Sequence, residues 1–321
     1  MLGNMLQSDN SAALPPALAG LTVLERGWLS SNNILIHAAG DEAGAVLVDS
    51  SHVNHAEQTV ALVRHALHGQ RLDRVVNTHL HSDHCGGNAA LRRAFDMPVI
   101  VPPGLADAVR EWDAARLTHD STGQRCARFE AAGTLAPGDE FSAGGRRWQV
   151  LPAPGHDPHS VMLFDPAQGV LLSADALWEN GFGVVFPEIA GEPGFDDVGA
   201  VLDAIGRLPV RMVVPGHGAP FSGVAAALAR ARSRLAGFQA EPARHARHAV
   251  KVLVKYHVME ERSMPFDALL RWAAATPMLG QLWQRHGAHD SDSPAAWCEG
   301  YVHELVAGGA LALHDGVVSD R

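Results

Sequence analysis

The sequence predicts an α/β fold joined to a mainly helical C-terminal domain. Three observations support this fold class. Short apolar runs and helical patterns alternate in the first half of the chain, strand pairs typical of hairpins follow in the middle, and Ala-rich and Arg-rich helical patterns fill the last third. We therefore expect an N-terminal extension over residues 1–20, an α/β domain over residues 21–222 and a helical domain over residues 223–321.

The elements of the α/β domain follow in order along the chain. Three strands form an opening meander, an amphipathic helix comes next, and turn residues such as Gly, Asp and Ser end the strands. The predicted strands cover residues 21–28, 32–40, 44–51, 74–78, 97–101, 141–145, 146–153, 160–165, 169–174 and 211–218. The predicted helices cover residues 54–69, 88–95, 105–112 and 195–208.

The helical domain is predicted from the change in composition after residue 222. Helical patterns cover residues 224–238, 242–263, 266–276 and 294–309. No strand is expected there until residues 309–320, which have the pattern of a hairpin turned at Asp315 and Gly316. Several helices followed by a hairpin are typical of a winged-helix-like module.

The composition restricts the compartment and the partners. The chain has 25 basic and 35 acidic residues and a formal charge of −10, which disfavours nucleic acid as a partner. No run of apolar residues is long enough to span a bilayer, and the first twenty residues lack the basic start of a secretory signal. Three widely separated cysteines argue against a disulfide framework. We expect a cytoplasmic protein that acts on a small molecule, and its oligomeric state stays open.

The segment NTHLHSDHCGG, residues 77–87, carries three histidines and an aspartate within six consecutive positions. Burying so many polar side chains is costly unless a cation ties them together. His79 and His81 lie two residues apart after a strand, so they project to the same side and can share one metal ion. Asp83 and His84 point onward to a second ion. The segment therefore predicts a pair of metal ions.

This segment strongly resembles the signature of the metallo-β-lactamase superfamily, and in particular of its glyoxalase II-like branch. The resemblance covers residues 21–222, which would then form the catalytic domain. It implies an αββα sandwich, in which two mixed β-sheets pack face to face with helices outside. Further ligands should lie at strand ends, where the sequence offers His156 in PGH, Asp175 in SAD and His217 in PGHG.

The resemblance also implies how these residues share the work. It assigns the ligands as follows: His79, His81 and His156 to one metal, Asp83, His84 and His217 to the other, and Asp175 as the bridge. Asp49, at the end of a strand, would support the ligands by hydrogen bonding. The ions would generate a bridging hydroxide, with Asp83 as the catalytic residue that orients it. Ligation by His and Asp without thiolate suits zinc best, although iron and manganese accept the same donors.

The segment after Asp175 is a candidate wall of the substrate pocket. Trp178, Phe182 and Phe186 lie there among glycines that indicate a loop, and core packing is the alternative interpretation. His159, three residues after His156, is a further candidate for the pocket.

The remaining histidines and cations receive a more ordinary interpretation. The pairs His52 with His55 and His245 with His248 are typical of solvated helix faces, and Cys85 is typical of a small buried hydrophobe. A set of basic residues on the helical patterns either covers the cleft and binds an anionic tail or forms a solvated face: Arg230, Arg232, Arg234, Arg244, Arg247, Lys251 and Lys255.

The expected reaction is hydrolysis of a thioester, a lactone or a related ester. The motif contains no dedicated acid for a departing amine, which favours thiolate or alkoxide leaving groups. The glutathione-thioester hydrolases carry a Cys-Gly-Lys or Cys-Gly-Arg segment after the bridging Asp, whereas this chain reads ALWENGFGVVFPE. Two alternatives stay open: cleavage of phosphodiesters in nucleic acid, and iron-dependent oxidation of sulfur compounds.

Overall fold

The computed structural model of the protein describes residues 15–321. Two mixed β-sheets pack face to face, helices cover the outer face of each sheet, and a mainly helical region follows. This arrangement confirms the predicted αββα sandwich with its C-terminal helical region. No helix within the described residues has the length and apolar character that crossing a membrane requires.

The first sheet has six strands in sequential order. They are β1 (Leu21–Leu24), β2 (Asn33–Ile36), β3 (Ala45–Val48), β4 (Leu72–Val76), β5 (Val99–Val101) and β6 (Gly133–Thr134). The first three pair as an antiparallel meander, and β3 to β6 are parallel. Parallel neighbours need crossover connections. The helices in these connections are α1 (Ala56–Ala66), α2 (Ser82–Cys85), α3 (Asn88–Phe95), α4 (Ala106–Glu111) and α5 (His119–Thr122).

The second sheet has five strands and is mostly antiparallel. They are β7 (Glu140–Ala143), β8 (Arg146–Pro152), β9 (Val161–Asp165), β10 (Val170–Ala174) and β11 (Met212–Pro215), in the order β11-β10-β9-β8-β7. Only the β10–β11 pair in this sheet is parallel. Its crossover contains α6 (Phe186–Ala190) and α7 (Phe195–Arg207), and α8 (Val224–Ala240) follows β11.

Alternating side chains on the strands build the layers of the sandwich. On β2, Ile34 and Ile36 enter the core between the two sheets, whereas Leu35 faces the core beneath the outer helices. On the second sheet, Leu163 points into the core between the sheets and Phe164 packs under α7 and α8. Each sheet is therefore apolar on both faces and packs against the other sheet and against helices. This packing fixes the positions of the strand ends relative to one another.

The C-terminal region has its own core. Its elements are α9 (Pro242–Glu261), β12 (Ser263–Pro265), α10 (Phe266–Ala275), α11 (Pro277–His286), α12 (Pro294–Ala307), β13 (Leu311–His314) and β14 (Val317–Asp320). The predicted hairpin is confirmed, and Asp315 and Gly316 both have positive φ angles, as a type I′ turn requires. The expectation of no earlier strand was wrong. Three residues of β12 pair with β14, a length too short to show alternation in the sequence.

The predicted division of the chain stays a prediction. Residues 1–14 lie outside the described part of the chain, and Leu18, in a short 3-10 helix, packs in the core between the sheets. The buried face of α8 contributes Leu235 and Phe238 to the core of the second sheet, whereas α9 to β14 share the separate C-terminal core. We therefore propose that α8 belongs to the sandwich by its packing.

Candidate metal centre

The candidate ligands converge at one edge of the sandwich because several strands end there. The segment that follows β4 carries His79 to His84, Asp175 follows β10 directly, and His217 follows β11. His156 lies in the loop between β8 and β9. Because β10 and β11 are parallel, their carboxyl ends lie side by side, which places Asp175 close to His217.

Three histidines form the first cluster. The side-chain nitrogens of His79, His81 and His156 that face one another all lie within 4.8 Å, and all three residues are buried. The Nδ1 atom of His81 lies 2.8 Å from Nε2 of His156. A backbone carbonyl, that of Val184, lies 2.5 Å from Nδ1 of His156 and fixes its ring. This geometry suits a shared cation.

The second cluster contains Asp83, His84, Asp175 and His217, whose ligand atoms also lie within 4.8 Å of one another. The Nε2 atom of His217 lies 3.0 Å from Oδ2 of Asp83. Asp175 reaches both clusters, since Oδ1 lies 3.5 Å from Nε2 of His84 and Oδ2 lies 3.3 Å from Nε2 of His156. The position of Asp175 is therefore that of a bridging carboxylate.

Unpartnered nitrogens show that these residues fit metal ions. The Nε2 atoms of His79 and His84 are buried and have no hydrogen-bond partner. A buried polar atom without a partner costs roughly 1–3 kcal/mol. No Lys or Arg of the described residues lies within salt-bridge distance of Asp83 or Asp175. A pair of divalent cations would satisfy both the nitrogens and the carboxylates.

The electrostatics of the site point the same way. Burial, reinforced by the neighbouring imidazoles, lowers the pKa of His79 and of His81 well below the ordinary value, so their lone pairs are free for a metal. Burial also lowers the pKa of His84, but the surrounding carboxylates outweigh it and raise this pKa well above the ordinary value. Burial raises the pKa of Asp83, but His84 and His217 outweigh it and lower this pKa to about 2. The carboxylates thus attract positive charge.

Asp49 lies behind the ligands, where its side chain was expected to act. Its Oδ2 atom lies 2.8 Å from Nδ1 of His84 and accepts a 2.8 Å hydrogen bond from the Thr78 hydroxyl. Its Oδ1 atom accepts a 2.9 Å bond from the Thr78 backbone amide. A proton held on Nδ1 leaves Nε2 of His84 free to face the second cluster.

Two glycines make room for the ligands. A Cβ atom on Gly216 would lie 2.2 Å from Oδ1 of Asp175, and one on Gly183 would lie 2.4 Å from Nδ1 of His156. Neither glycine has a positive φ, so both positions require glycine for space rather than for backbone conformation.

A cavity of about 530 Å³ opens above the two clusters. Trp178 and Phe186 line it, and the Phe186 ring lies 4.8 Å from that of His81. The other two candidates for the pocket lie elsewhere. Phe182 packs in the core beneath α7 and α8, because the loop turns its side chain inward. His159 is exposed and packs against Gly104.

The sequence interpretation missed several residues that line the cavity. Trp28, in the loop between β1 and β2, is 60% exposed and stacks on the His217 ring at 5.3 Å. Helices α8 and α9 add a wall that includes His248 and Tyr256, which were missed, and Arg234, for which covering the cleft was one of two open interpretations. An isolated Trp in a Gly-containing loop was the available signal for Trp28. The helical wall depends on packing between distant segments, which the local pattern does not show.

The histidine pairs assigned to solvated helix faces are largely buried instead. His52 is fully buried beside Glu260, and the Nε2 atom of His245 accepts a 3.1 Å hydrogen bond from the Val185 amide. That expectation was wrong, because tertiary contacts cover these faces. Cys85 is buried, as expected.

Comparisons with known proteins agree with this geometry. The family model described as the metallo-beta-lactamase superfamily matches residues 26–217. A hydroxyacylglutathione hydrolase of Anaeromyxobacter dehalogenans is 35% identical over 213 residues, which cover 64% of this chain and 71% of the relative. Another from Idiomarina loihiensis is 27% identical over 155 residues, 48% of this chain and half of the relative's length.

Two solved structures share the fold over almost the whole chain. A beta-lactamase domain protein from Burkholderia ambifaria has a TM-score of 0.57 and 20% identity and covers 97% of each chain. A metallo-beta-lactamase family protein from Thermus thermophilus has a TM-score of 0.54 and 21% identity, covering 96% of this chain and 100% of its own. These two structures support the fold. The family match over more than half of the sequence and the 35% identical relative show that the chain is a metal-dependent hydrolase of the metallo-β-lactamase superfamily, in its glyoxalase II-like branch.

Proposed function

We propose that the protein is a cytoplasmic hydrolase with a dinuclear, most simply dizinc, centre that cleaves an ester-type bond in a small molecule, such as a thioester or a lactone. The observation that carries this proposal is Asp175, whose two oxygens face His84 in one cluster and His156 in the other. One carboxylate between two buried histidine clusters is the arrangement that two adjacent cations need.

Two divalent ions held by these residues would supply hydroxide at neutral pH and polarise the scissile carbonyl. The chain's own contribution is orientation and charge. Asp83 lines the cavity and stays ionised at neutral pH, so it can accept a hydrogen bond from the attacking water and position it. Asp49 holds His84 in the tautomer that presents Nε2. Trp28, stacked on His217, shields that ligand from solvent.

The protonation states favour an ester over an amide. Burial raises the pKa of Asp175, but His84 and His217 outweigh it and lower this pKa well below the ordinary value. Asp83 is ionised as well, so neither carboxylate holds a proton for a departing amine at neutral pH. Thiolates and alkoxides leave as anions more readily and need this proton less.

The cavity favours a small molecule over nucleic acid. Its volume of about 530 Å³ is typical of small-molecule sites. Two lysines in its wall are already paired, Lys251 with Glu304 at 2.6 Å and Lys255 with Asp320. They are therefore poorly placed to hold a chain of phosphates. The names of the curated relatives support a thioester, whereas the segment after Asp175 departs from that of the glutathione-thioester hydrolases.

The donor set favours zinc. Five imidazoles and two carboxylates without a thiolate suit zinc, and iron and manganese accept the same ligands. Oxidation of sulfur compounds by a single iron would require only one of the two ligand clusters. The presence of both clusters therefore supports hydrolysis.

Metal analysis and a substrate panel test the proposal. We expect about two metal ions per purified chain, and turnover of at least one thioester, lactone or simple ester that a chelator abolishes and zinc restores. The same panel contains phosphodiesters and β-lactams. Chelator-sensitive turnover confined to phosphodiesters, or a content of one iron with sulfur oxidation, would contradict the proposed reaction.

A further inference from the structure

The helical wall of the cavity carries a charged group next to the loop that contains Asn180 and Gly181. Arg234 of α8 is half-buried and lines the cavity. Its Nη2 atom donates a 2.8 Å hydrogen bond to Nε2 of His248, and its Nη1 atom donates a 3.4 Å bond to the Asn180 carbonyl. The guanidinium also lies over the rings of Phe182 and Phe238, at 5.7 and 5.5 Å. All of these partners are uncharged or polar groups rather than anions.

Arg234 differs in this respect from the neighbouring cations. Lys251 and Lys255 each have an acidic partner, Glu304 and Asp320. Among residues 15–321, no carboxylate lies within 4 Å of the Arg234 guanidinium. Burial, together with the positive charge of Arg244, lowers the pKa of Arg234. Its charge is therefore poorly compensated, and an anion in the cavity would gain a strong interaction there.

His248 does not supply or remove this charge. Burial, together with Arg234, lowers the pKa of His248 to about 3, so the imidazole is neutral and accepts the hydrogen bond from Arg234. This bond and the contact with Asn180 hold the guanidinium in one orientation. A guanidinium that is already held in one orientation binds a planar anion better than a mobile guanidinium does.

The surroundings limit the chemistry of the ligand. Apolar side chains, among them Val252, Leu253 and Leu305, line the same cavity. One compensating charge in an apolar site matches a monoanion, whereas a phosphate dianion would leave a negative charge unbalanced. A carboxylate also matches the two parallel N–H groups of a guanidinium.

We propose that Arg234 binds a carboxylate of the substrate, so that the enzyme prefers esters or thioesters whose acyl part has an apolar middle and a terminal carboxylate. The inference rests on the proposed ester hydrolysis, because the metal centre must act on another part of the same molecule. Arg234 is in this view a specificity-determining residue that binds substrate without taking part in bond cleavage.

A matched pair of substrates tests this inference with the full-length, zinc-loaded protein. One member of each pair is the thioester of a linear dicarboxylic acid with a neutral thiol, and the other is its terminal methyl ester, at several chain lengths. We expect kcat/KM to favour the free carboxylate by about 10- to 100-fold at the best length. In Arg234→Met the ratio should fall to near one. In Arg234→Lys it should be intermediate, because Lys keeps the positive charge but lacks the paired N–H groups of the guanidinium.

Arg230→Met is the matched control. Arg230 lies one turn earlier on α8 and donates a 2.8 Å bond to the neighbouring Glu179 carbonyl, but it is exposed and lies outside the cavity lining. This variant should keep the wild-type preference. The preference is a ratio within one variant, so a loss of folded protein does not change it. A wild-type ratio near one, or a ratio unchanged in Arg234→Met, would overturn the inference.

Binding without turnover separates the two proposals. The mono-N-methylamide of the best dicarboxylic acid should bind wild-type protein about 10-fold or more tightly than its bis-N-methylamide in calorimetry, and Arg234→Met should remove the difference. If this result is obtained and no thioester or ester is cleaved, the proposed reaction is wrong and the carboxylate site stands. If esters are cleaved without any carboxylate preference in binding or turnover, the reaction stands and the carboxylate site is wrong.

Discussion

Two buried clusters of imidazoles and carboxylates lie close to the cavity, and they differ in where their positive charge comes from. In the metal centre, the carboxylates of Asp83 and Asp175 face histidines, and Asp175 also accepts a 3.2 Å hydrogen bond from the Trp178 indole, but neither has a Lys or Arg partner among the described residues. In the other cluster, which we call the Glu260 cluster, Glu260 of α9 lies 3.2 Å from His52. It also forms an ion pair with Arg125, whose Nε atom lies 3.1 Å from the same carboxylate oxygen. The protein therefore supplies a cation to one cluster and leaves the other without one.

The Glu260 cluster joins α9 to the sandwich. Glu260 contacts His52 from the loop before α1 and Arg125 from the segment after α5, and its other oxygen lies 3.5 Å from His257. The His257 ring stacks on Trp272 with a centroid separation of 3.9 Å. Burial raises the pKa of Glu260, but the neighbouring His257, His52 and Arg125 outweigh it, so this pKa is well below the ordinary value. A high density of His and acidic groups thus indicates a metal site only when no Arg or Lys neutralises it.

The largest expected effect comes from Asp83→Asn in the metal centre. Removing the ionised carboxylate takes away both a ligand charge and the group that orients the nucleophile. We expect kcat to fall by at least about 100-fold, with little change in thermal stability. Assays with the best ester at saturating zinc measure this, and wild-type activity in the variant would show that Asp83 has no such role.

Glu260→Gln should produce the opposite pattern. The loss of the carboxylate removes the ion pair with Arg125 and the contacts with both histidines, so the free energy of unfolding should fall by about 2–3 kcal/mol. Metal content and kcat per folded chain should stay near wild type. Denaturant titration and metal analysis check both parts. A loss of bound metal with unchanged stability would reverse the roles that we assign to the two clusters.

Asp49→Asn sharpens the comparison within the metal centre. The Asn side chain keeps a similar shape but loses the charge that holds the proton on Nδ1 of His84. Metal affinity or activity should fall by about 10- to 100-fold, an effect typical of residues that orient a ligand. Competition with a chromogenic chelator measures the affinity. Equal zinc affinity and activity in wild type and variant would show that Asp49 does not position His84.

The smallest effect concerns histidines buried without any acid. Burial, together with Arg234, lowers the pKa of His245 to about 4 and that of His248 to about 3. Between these values and the unfolded value near 6.5, the unfolded chain binds more protons than the folded one, so stability is present above pH 6.5 and is lost as the pH falls. Between pH 6.5 and pH 5, each of these imidazoles should lower the free energy of unfolding by about 1.5 kcal/mol.

His248→Gln provides the comparison for this pH effect. Denaturant titrations of wild type and variant at pH 5 and pH 6.5 should show a smaller pH-dependent loss of stability in the variant. Identical pH slopes would mean that His248 carries a proton in the folded protein.

The sequence could predict the metal centre because its ligands follow strand ends within short patterns. The segment from His79 to His84 carried the family resemblance, and that resemblance implied the sandwich and placed His156, Asp175 and His217, in agreement with the order of strands and helices. The structure brings these residues into two clusters. Local signals were strong here because strand direction fixes where a terminal side chain lies.

The cavity could not be predicted in the same way. Trp28, His248 and Tyr256 come from segments that lie far apart in the chain, and no local pattern indicates which face of α8 or α9 lines the cavity. His52 and His245 were misplaced for the same reason, because a polar residue at helical spacing fits a solvated face until a tertiary partner covers it. Phe182 has the composition of a pocket residue but packs in the core.

Helix α9 has a consequence for how this enzyme can change over evolution. Its side chains, including Lys251 and Tyr256, form part of the chamber in which the substrate is selected, and Glu260 at its end anchors it to the rest of the chain. The ligands come from other elements. Substitutions along α9 can therefore change which substrates are accepted while the metal ligands are inherited unchanged.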